Sequence, residues 1–459
     1  MSVSVKFLGA AGTVTGSKYL VTGKTATILV DVGMFQGDRT WREKNWHTPP
    51  VALDKVDVVL LTHAHVDHVG LLPRYFNLGL KCPVFCSIAT NDLSRIILLD
   101  SGRLQEEEAN YRQERGKSRH NPPLPLYTEA DARSTLTHFK PIAVRQDIEV
   151  LPGVTASWSP MGHILGACSI TLKIDGKVIV FSGDIGRYNV PILLDPEPVP
   201  MGDLLLIEST YGDRLHSPTS PAYALADIIN RTAKRGGSVI IPSFAVGRTQ
   251  TLLFYIRELK GANRIPDIPI IVDSPMADDA TNIYLKRTAD YDAESLHLLR
   301  RGIPPFTVPR LRYTADRSES IKVNSIRDSM IIISASGMLT GGRILHHLKN
   351  RLPDERNTLL FVGFQPPGSR GAWLKGGAKT CRIFSDEIAV RAEIAEISGL
   401  SAHADRDELI HWCKSCTGTP GQVAIVHGEP DSAASFRTTL ESELKWNASV
   451  AKYLQEVTL

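Results

Sequence analysis

Long apolar runs are missing from this chain of 459 residues. None approaches the roughly 20 residues of a membrane-crossing helix, and no signal-peptide pattern opens the chain, so the expectation is a cytoplasmic protein with no membrane partner. An excess of charge of one sign is missing too: 52 Lys and Arg stand against 49 Asp and Glu, a net charge of +3. Bulk charge therefore neither demands nor excludes a nucleic-acid partner, and phosphate binding must come from local groups or metal. Cysteine is scarce, six residues spread widely, which fits reduced thiols. Cys413 and Cys416 form a C-x-x-C, and Cys82 and Cys86 a looser pair. A four-cysteine zinc site would use both pairs; buried thiols in an apolar context fit them better. Repeats and low-complexity segments are absent. At this length, with 42% hydrophobic and 22% charged residues, two or three ordinary globular domains are expected.

Histidine is what the chain concentrates. His63-Ala64-His65-Val66-Asp67-His68 follows the apolar run Val56 to Leu61. Three imidazoles and a carboxylate share so short a turn cheaply only when a cation holds them, and borderline divalent ions such as Zn²⁺ suit nitrogen and oxygen donors. Three further loops place such residues after strand-like runs. His163 follows Ser159 to Gly162, Asp184 sits between Gly183 and Gly186, and His427 ends the run Val423 to Val426. A lone histidine after a strand is usually structural; as a set, these stand where a sheet delivers side chains to one edge. A two-ion site then follows. His63, His65 and His163 take one ion, and Asp67, His68 and His427 the other. Asp184 bridges them, and a metal-bridging water becomes a hydroxide nucleophile. Asp31, in Leu29-Val30-Asp31-Val32-Gly33, is placed to orient a ligand histidine.

The pattern along the chain predicts strands at Val3 to Leu8, Tyr19 to Thr22 and Thr27 to Val32. Between the first two lies a loop whose Gly9, Gly12 and Gly16 serve turns or border the site. A helix is expected over Val69 to Asn77, a strand over Val84 to Cys86, and helices over Asn91 to Asp100 and Thr128 to Thr137. Strands resume at Ile148, Val154, Ser169 and Lys177, with Asp175-Gly176 as a two-residue hairpin turn. Leu204 to Ile207 ends at Glu208. The charged stretch Glu106 to His120, with Arg112, Arg115, Lys117 and Arg119, reads as a solvated helix and loop more than a polyanion contact. From Ser209 helices and strands alternate: helix Ala222 to Lys234, strand Ser238 to Ile241, helix Gly247 to Leu259, strand Ile268 to Val272, helix Ala277 to Thr288, strand Met330 to Ser334, helix Gly341 to Leu348 and strand Asn357 to Val362. That is the rhythm of a mainly parallel, doubly wound sheet. Near Ala389 a strand-rich style returns. The expected architecture is a β-rich domain interrupted by an α/β insertion.

With Asp31, His163 and Asp184 in order, the histidine motif resembles the metallo-β-lactamase superfamily over roughly residues 1–208. Glu208-Ser209-Thr210-Tyr211-Gly212, Ser401-Ala402-His403-Ala404-Asp405 and Val426-His427-Gly428 resemble motifs A, B and C of its β-CASP nuclease branch. The resemblance implies a metallo-β-lactamase αββα sandwich over 1–208, an inserted α/β β-CASP domain over 209–390, and completion of the first domain over 391–459. It implies that His427 completes a second zinc site, a feature of the RNA branch that includes ribonuclease J and the cleavage and polyadenylation endonuclease subunit. The expected activity is a two-zinc ribonuclease acting on single-stranded RNA, leaving 5′-phosphate and 3′-hydroxyl ends. A DNA nuclease and a lactam or thioester hydrolase are the alternatives, and a homodimer is allowed. His403 is expected to act as general acid, with Glu208 holding its tautomer and raising its pKa. Asp67 and Asp31 are counted with them as catalytic. Substrate contacts are expected at Ser401, at Ser336 and Gly337 of Ser334-Ala335-Ser336-Gly337-Met338, and at Arg248 of Ser243 to Gln250. There the chain departs from the family with Thr251 where Glu often stands. His346 and His347 read as structural.

Overall fold

The computed structural model describes residues 2–114, 124–217, 219–363, 365 and 368–459. Arg115, Lys117 and Arg119 of the charged stretch lie outside the described residues. The chain forms two compact units: residues 1–215 with 403–459, and residues 216–402.

The first unit stacks two seven-stranded sheets. One runs in the order Glu456–Thr458, Ser4–Phe7, Tyr19–Thr22, Thr27–Val30, Val58–Leu60, Val84–Ser87, Phe139–Ile142. The other runs Ala448–Val450, Gln422–Val426, Leu204–Glu208, Lys177–Phe181, Cys168–Ile174, Val154–Pro160, Asp147–Leu151. Strand alternation explains the unbroken apolar runs. Val58 and Leu60 point into the core shared by the sheets, with Trp158, Phe181 and Phe7. Val59 and Leu61 point the other way, onto Leu72, Tyr75 and Leu98 of the covering helices. In the second sheet Leu204 and Leu206 join the shared core, while Leu205 and Ile207 pack outward on Trp412 and Phe436. Helix, sheet, sheet and helix thus form an αββα sandwich.

The second unit holds a six-stranded, wholly parallel sheet in the order Leu311–Tyr313, Ile270–Asp273, Ile331–Ser334, Val239–Pro242, Thr358–Phe361, Glu393–Glu396. The last strand pairs along Thr358–Phe361, so this unit runs to Ala402.

Several elements differ from expectation. The expected helix over 69–77 is two short ones, Val66–Val69 and Leu72–Asn77. The next helix spans Ile88–Glu114; its charged second half makes i,i+4 pairs such as Glu108 with Arg112, which prolong a helix with little buried face. The stretch after 389 is not strand-rich throughout: helices Arg406–Ser415 and Pro430–Thr439 cover the second sheet. Strand Phe139–Ile142, helices Ala293–Arg300 and Arg317–Ser325, and hairpin Thr380–Ile383/Asp386–Ala389 are further elements beyond those expected. At Asp175-Gly176 both residues have positive φ and Ile174 faces Lys177, the two-residue hairpin its sequence announces. All six cysteines are free and buried. The Cys82/Cys86 and Cys413/Cys416 pairs lie in different cores, so they build no common zinc site.

Candidate metal centre

Strand ends of the first unit, and a short helix beyond one of them, deliver the side chains of the centre. The Val58–Leu60 strand runs out at Thr62-His63, and His65 caps the short helix whose first turn carries Asp67 and His68. That helix lies tight on the Asp31 loop: a Cβ at Gly33 would sit 1.6 Å from Asp67 O, so only glycine fits. His163 follows Val154–Pro160, Asp184 follows Lys177–Phe181, and His427 follows Gln422–Val426.

Two groups of donors converge. In the first, His65 Nδ1 lies 3.1 Å from both His63 Nε2 and His163 Nε2. Asp184 Oδ2 lies 3.4 Å from the same two Nε2 atoms. In the second, His427 Nε2 lies 3.4 Å from His68 Nε2 and from Asp67 Oδ2. Asp184 Oδ1 lies 3.3 Å from His68 Nε2, so its two oxygens face different groups. A tetrahedral ion with bonds of about 2.0–2.1 Å needs donors spaced by about 3.3 Å. The donor set fits further: it is imidazole and carboxylate without thiolate, and buried Asp184 Oδ1 accepts no hydrogen bond. Such a carboxylate oxygen is costly unless a cation meets it.

Protonation follows burial and neighbours. Burial, with nearby imidazoles, holds His63 at about 3 and, despite Asp67 and Asp184, His65 at about 4. His163 is likewise held well down by burial and by His403. These rings are neutral near pH 7, the form that binds metal. His68 is buried as well, but Asp184 and Asp31 outweigh burial and raise it. Asp184 is held well below the carboxylate range: burial opposes this, and the surrounding histidines overcome it.

Around the donors stands a ring of hydrogen-bonding groups. Asp31 Oδ2 lies 2.8 Å from His68 Nδ1. Thr62 donates its N–H to Asp31 Oδ1 and its hydroxyl to Oδ2, each at 2.8 Å, and its Oγ1 stands 3.1 Å from His63 Nδ1. Ser17 Oγ lies 3.3 Å from His68 Nε2, and His427 N donates to Ala10 O, so the Gly9–Gly16 loop borders the centre. Asp31 and His427 both adopt positive φ, +58° and +47°, an uncommon conformation off glycine that concentrates at functional sites. Sequence reading missed Thr62, Ser17 and Thr210: a threonine next to a ligand is too common to signal a role, and Ser17 and Thr210 lie 51 and 217 positions from the ligands they meet.

A third convergence joins Asp184, Glu208 and His403. Glu208 is fully buried at its strand end. Its Oε1 accepts from Ile185 N at 2.7 Å and faces His403 Nδ1 at 3.1 Å. Burial lowers the His403 pKa, but Glu208, then Asp184 and Asp67, outweigh it and bring it to about 9.

The remaining expected residues lie in the second unit, at or after the carboxyl ends of its strands. Ser336 Oγ bonds Thr340 Oγ1 and accepts from Thr340 N, both at 3.1 Å. Gly337 O accepts from Gln365 Nε2 at 2.9 Å. Arg248 donates to Val362 O, and Thr251 Oγ1 to Gly247 O. Ser401 is half-buried. His347 is buried against Asp273, while His346 packs on Phe384.

A model of the metallo-beta-lactamase superfamily domain matches residues 20–188, one of the Beta-Casp domain residues 249–374, and one of the Zn-dependent metallo-hydrolase RNA specificity domain residues 387–451. Ribonuclease TTHA0252 of Thermus thermophilus is 35% identical over 426 residues, 92% of each chain. The chain belongs to the β-CASP family of the metallo-β-lactamase superfamily. Among β-CASP relatives, an RNase J-like protein of Methanocaldococcus jannaschii is 30% identical over 450 residues, 96% of each chain. Transcription termination factor FttA of the same organism is 29% identical over 99% of this chain and 71% of its own. A crystal structure of a protein of unknown function from Enterococcus faecalis V583 aligns along both whole chains with a TM-score of 0.54 at 13% identity, a likeness of fold alone. No helix among the described residues is long and apolar enough to cross a membrane.

Proposed function

We propose that this β-CASP protein is a two-zinc ribonuclease that hydrolyses single-stranded RNA to 5′-phosphate and 3′-hydroxyl ends. The observation that carries the reading is the split of Asp184 between two donor groups with tetrahedral spacing. His63, His65 and His163 would hold one ion, and Asp67, His68 and His427 the other. Bound there, the ions supply activated water and neutralise charge on the phosphoryl oxygens. The chain's own residues complete the reaction. Asp31 fixes His68 through Nδ1. Glu208 accepts a hydrogen bond from Nδ1–H of His403 and, with Asp184 and Asp67, keeps the ring an imidazolium near neutral pH, so Nε2 carries a transferable proton. As water oxygen bonds to phosphorus and the P–O3′ bond breaks, His403 Nε2 protonates the leaving 3′-oxygen. Small residues Ser336, Gly337 and Ser401, with Arg248, are proposed to meet the RNA backbone. The names of the relatives and the RNA specificity domain match support RNA over DNA or a lactam or thioester.

The test uses end-labelled single-stranded RNA and a matched DNA oligonucleotide, with metal-replete and chelated protein. RNA cleavage that needs metal and leaves 5′-phosphate ends is the expected result. Preferential cleavage of the DNA, or hydrolysis of a thioester with RNA untouched, would overturn it.

A further inference from the structure

Three consecutive residues at the end of the Leu204–Glu208 strand reach His403 and the strand end that carries His427. Glu208 meets His403. Ser209 donates through Oγ to Val426 O at 2.9 Å and through its N–H to His427 O at 3.2 Å. Thr210 Oγ1 lies 3.1 Å from His427 Nδ1 and 3.2 Å from His427 O. A hydroxyl has one hydrogen to give and two lone pairs. With the hydrogen on the His427 carbonyl, a lone pair is left for an Nδ1–H. Asp184 Oδ1 stands 3.7 Å from the same nitrogen, beyond hydrogen-bond reach.

That arrangement decides which ring nitrogen offers a lone pair. A neutral imidazole carries one N–H, and the partner of one nitrogen fixes the state of the other. An N–H at Nδ1 leaves Nε2 as acceptor, and Nε2 is the atom that faces His68 and Asp67. With the hydrogen on Nε2 instead, an N–H would point at the ion's position. The same hydroxyl also holds the carbonyl of a residue whose φ is +47°, a conformation that persists only where its surroundings impose it.

We propose that Thr210 is a positioning residue that sets the tautomer and orientation of His427 for the ion shared with Asp67 and His68. The turn of motif A therefore serves two ends: Glu208 positions the proton donor, and Thr210 positions the second ion site. This inference rests on the two-ion reading of the centre.

The experiment measures zinc stoichiometry and affinity by chelator competition for wild type, Thr210→Val, Thr210→Ser and His427→Ala, with thermal unfolding as a check on folding. His427→Ala marks which ion belongs to the second site. Wild type is expected to bind two ions. Thr210→Val should keep the ion of His63, His65 and His163 and bind the other about 10–100-fold more weakly. Thr210→Ser, which keeps the hydroxyl, should bind as wild type does. Equal second-site affinity in wild type and Thr210→Val would overturn the inference alone. So would loss of both ions together in Thr210→Val and Thr210→Ser. Fewer than two ions on wild type would overturn the two-ion reading, and the inference with it.

Discussion

Each unit buries a carboxylate beside histidine at the carboxyl end of a strand, and the two are solved in opposite ways. In the second unit Asp273 is completely covered. Thr314 and Ser320 donate hydroxyls to it, Arg343 a guanidinium N–H at 2.8 Å, and His347 Nε2 stands 2.6 Å away. Its lone pairs are spoken for, and no metal-type donor group forms there among the described residues. In the first unit Asp184 is just as buried, but its neighbours are imidazole nitrogens that also face one another at 3.1–3.4 Å. Facing lone pairs without enough hydrogens between them are satisfied by a cation. The hydrogen count, rather than burial or histidine content, separates a structural knot from a metal centre.

Substitutions sharpen that contrast. The largest effect is expected from Asp184→Ala, which removes the group common to both donor sets: zinc analysis should show both ions lost or loosely held, with RNA cleavage at background. An Asp184→Ala protein that kept two tight ions would erase the distinction between the units. Next comes His403→Ala. It should retain its zinc and lose about 10²–10⁴-fold in cleavage rate, the usual contribution of a positioned general acid; survival of full activity would remove His403 from that role. Asp273→Asn should leave zinc content unchanged and destabilise the second unit by about 3 kcal/mol, the lower end for breaking a buried ion pair, since Arg343 is partly open to water. Denaturant unfolding read alongside zinc analysis checks both halves of that statement. The smallest effect is in pH. Asp273 is held well below the carboxylate range: burial would raise it, but His347, Ser320, Thr314 and Arg343 prevail. Its folded pKa is therefore depressed, and its stabilisation is fully present above the unfolded value of about 3.9, shrinks below it and is lost as pH falls through the depressed folded value. The stability gap between wild type and Asp273→Asn should be full at neutral pH and narrow progressively as pH falls below about 4.

Much was legible in the residues themselves. The apolar runs ending at His63, Glu208 and His427 announce strands buried on both faces, and the Asp175-Gly176 turn announces its hairpin, because alternation and turn chemistry are local. The β-rich domain with its α/β insertion is legible in the strand and helix rhythm, and the αββα class and β-CASP identity are implied by the family resemblance that the ordered motifs carry. Less legible were the short helix of residues 66–69, the reach of the next helix to Glu114 and the helices after Asp405, all shaped by packing or by ion pairs that a hydrophobic period does not report. Within the centre, the sequence by itself determined the donor types, imidazole and carboxylate at strand ends, and with them the class of ion they suit. A bridging Asp184 is an expectation of the sequence; only the tertiary structure decided which oxygen meets which group, at 3.3–3.4 Å, and that Thr62 and Thr210 stand behind His63 and His427. Thr210 and His427 stand 217 positions apart at the ends of two paired strands, and the approach of Asp184 to His63 and His68 depends on how two sheets stack, which no local pattern encodes.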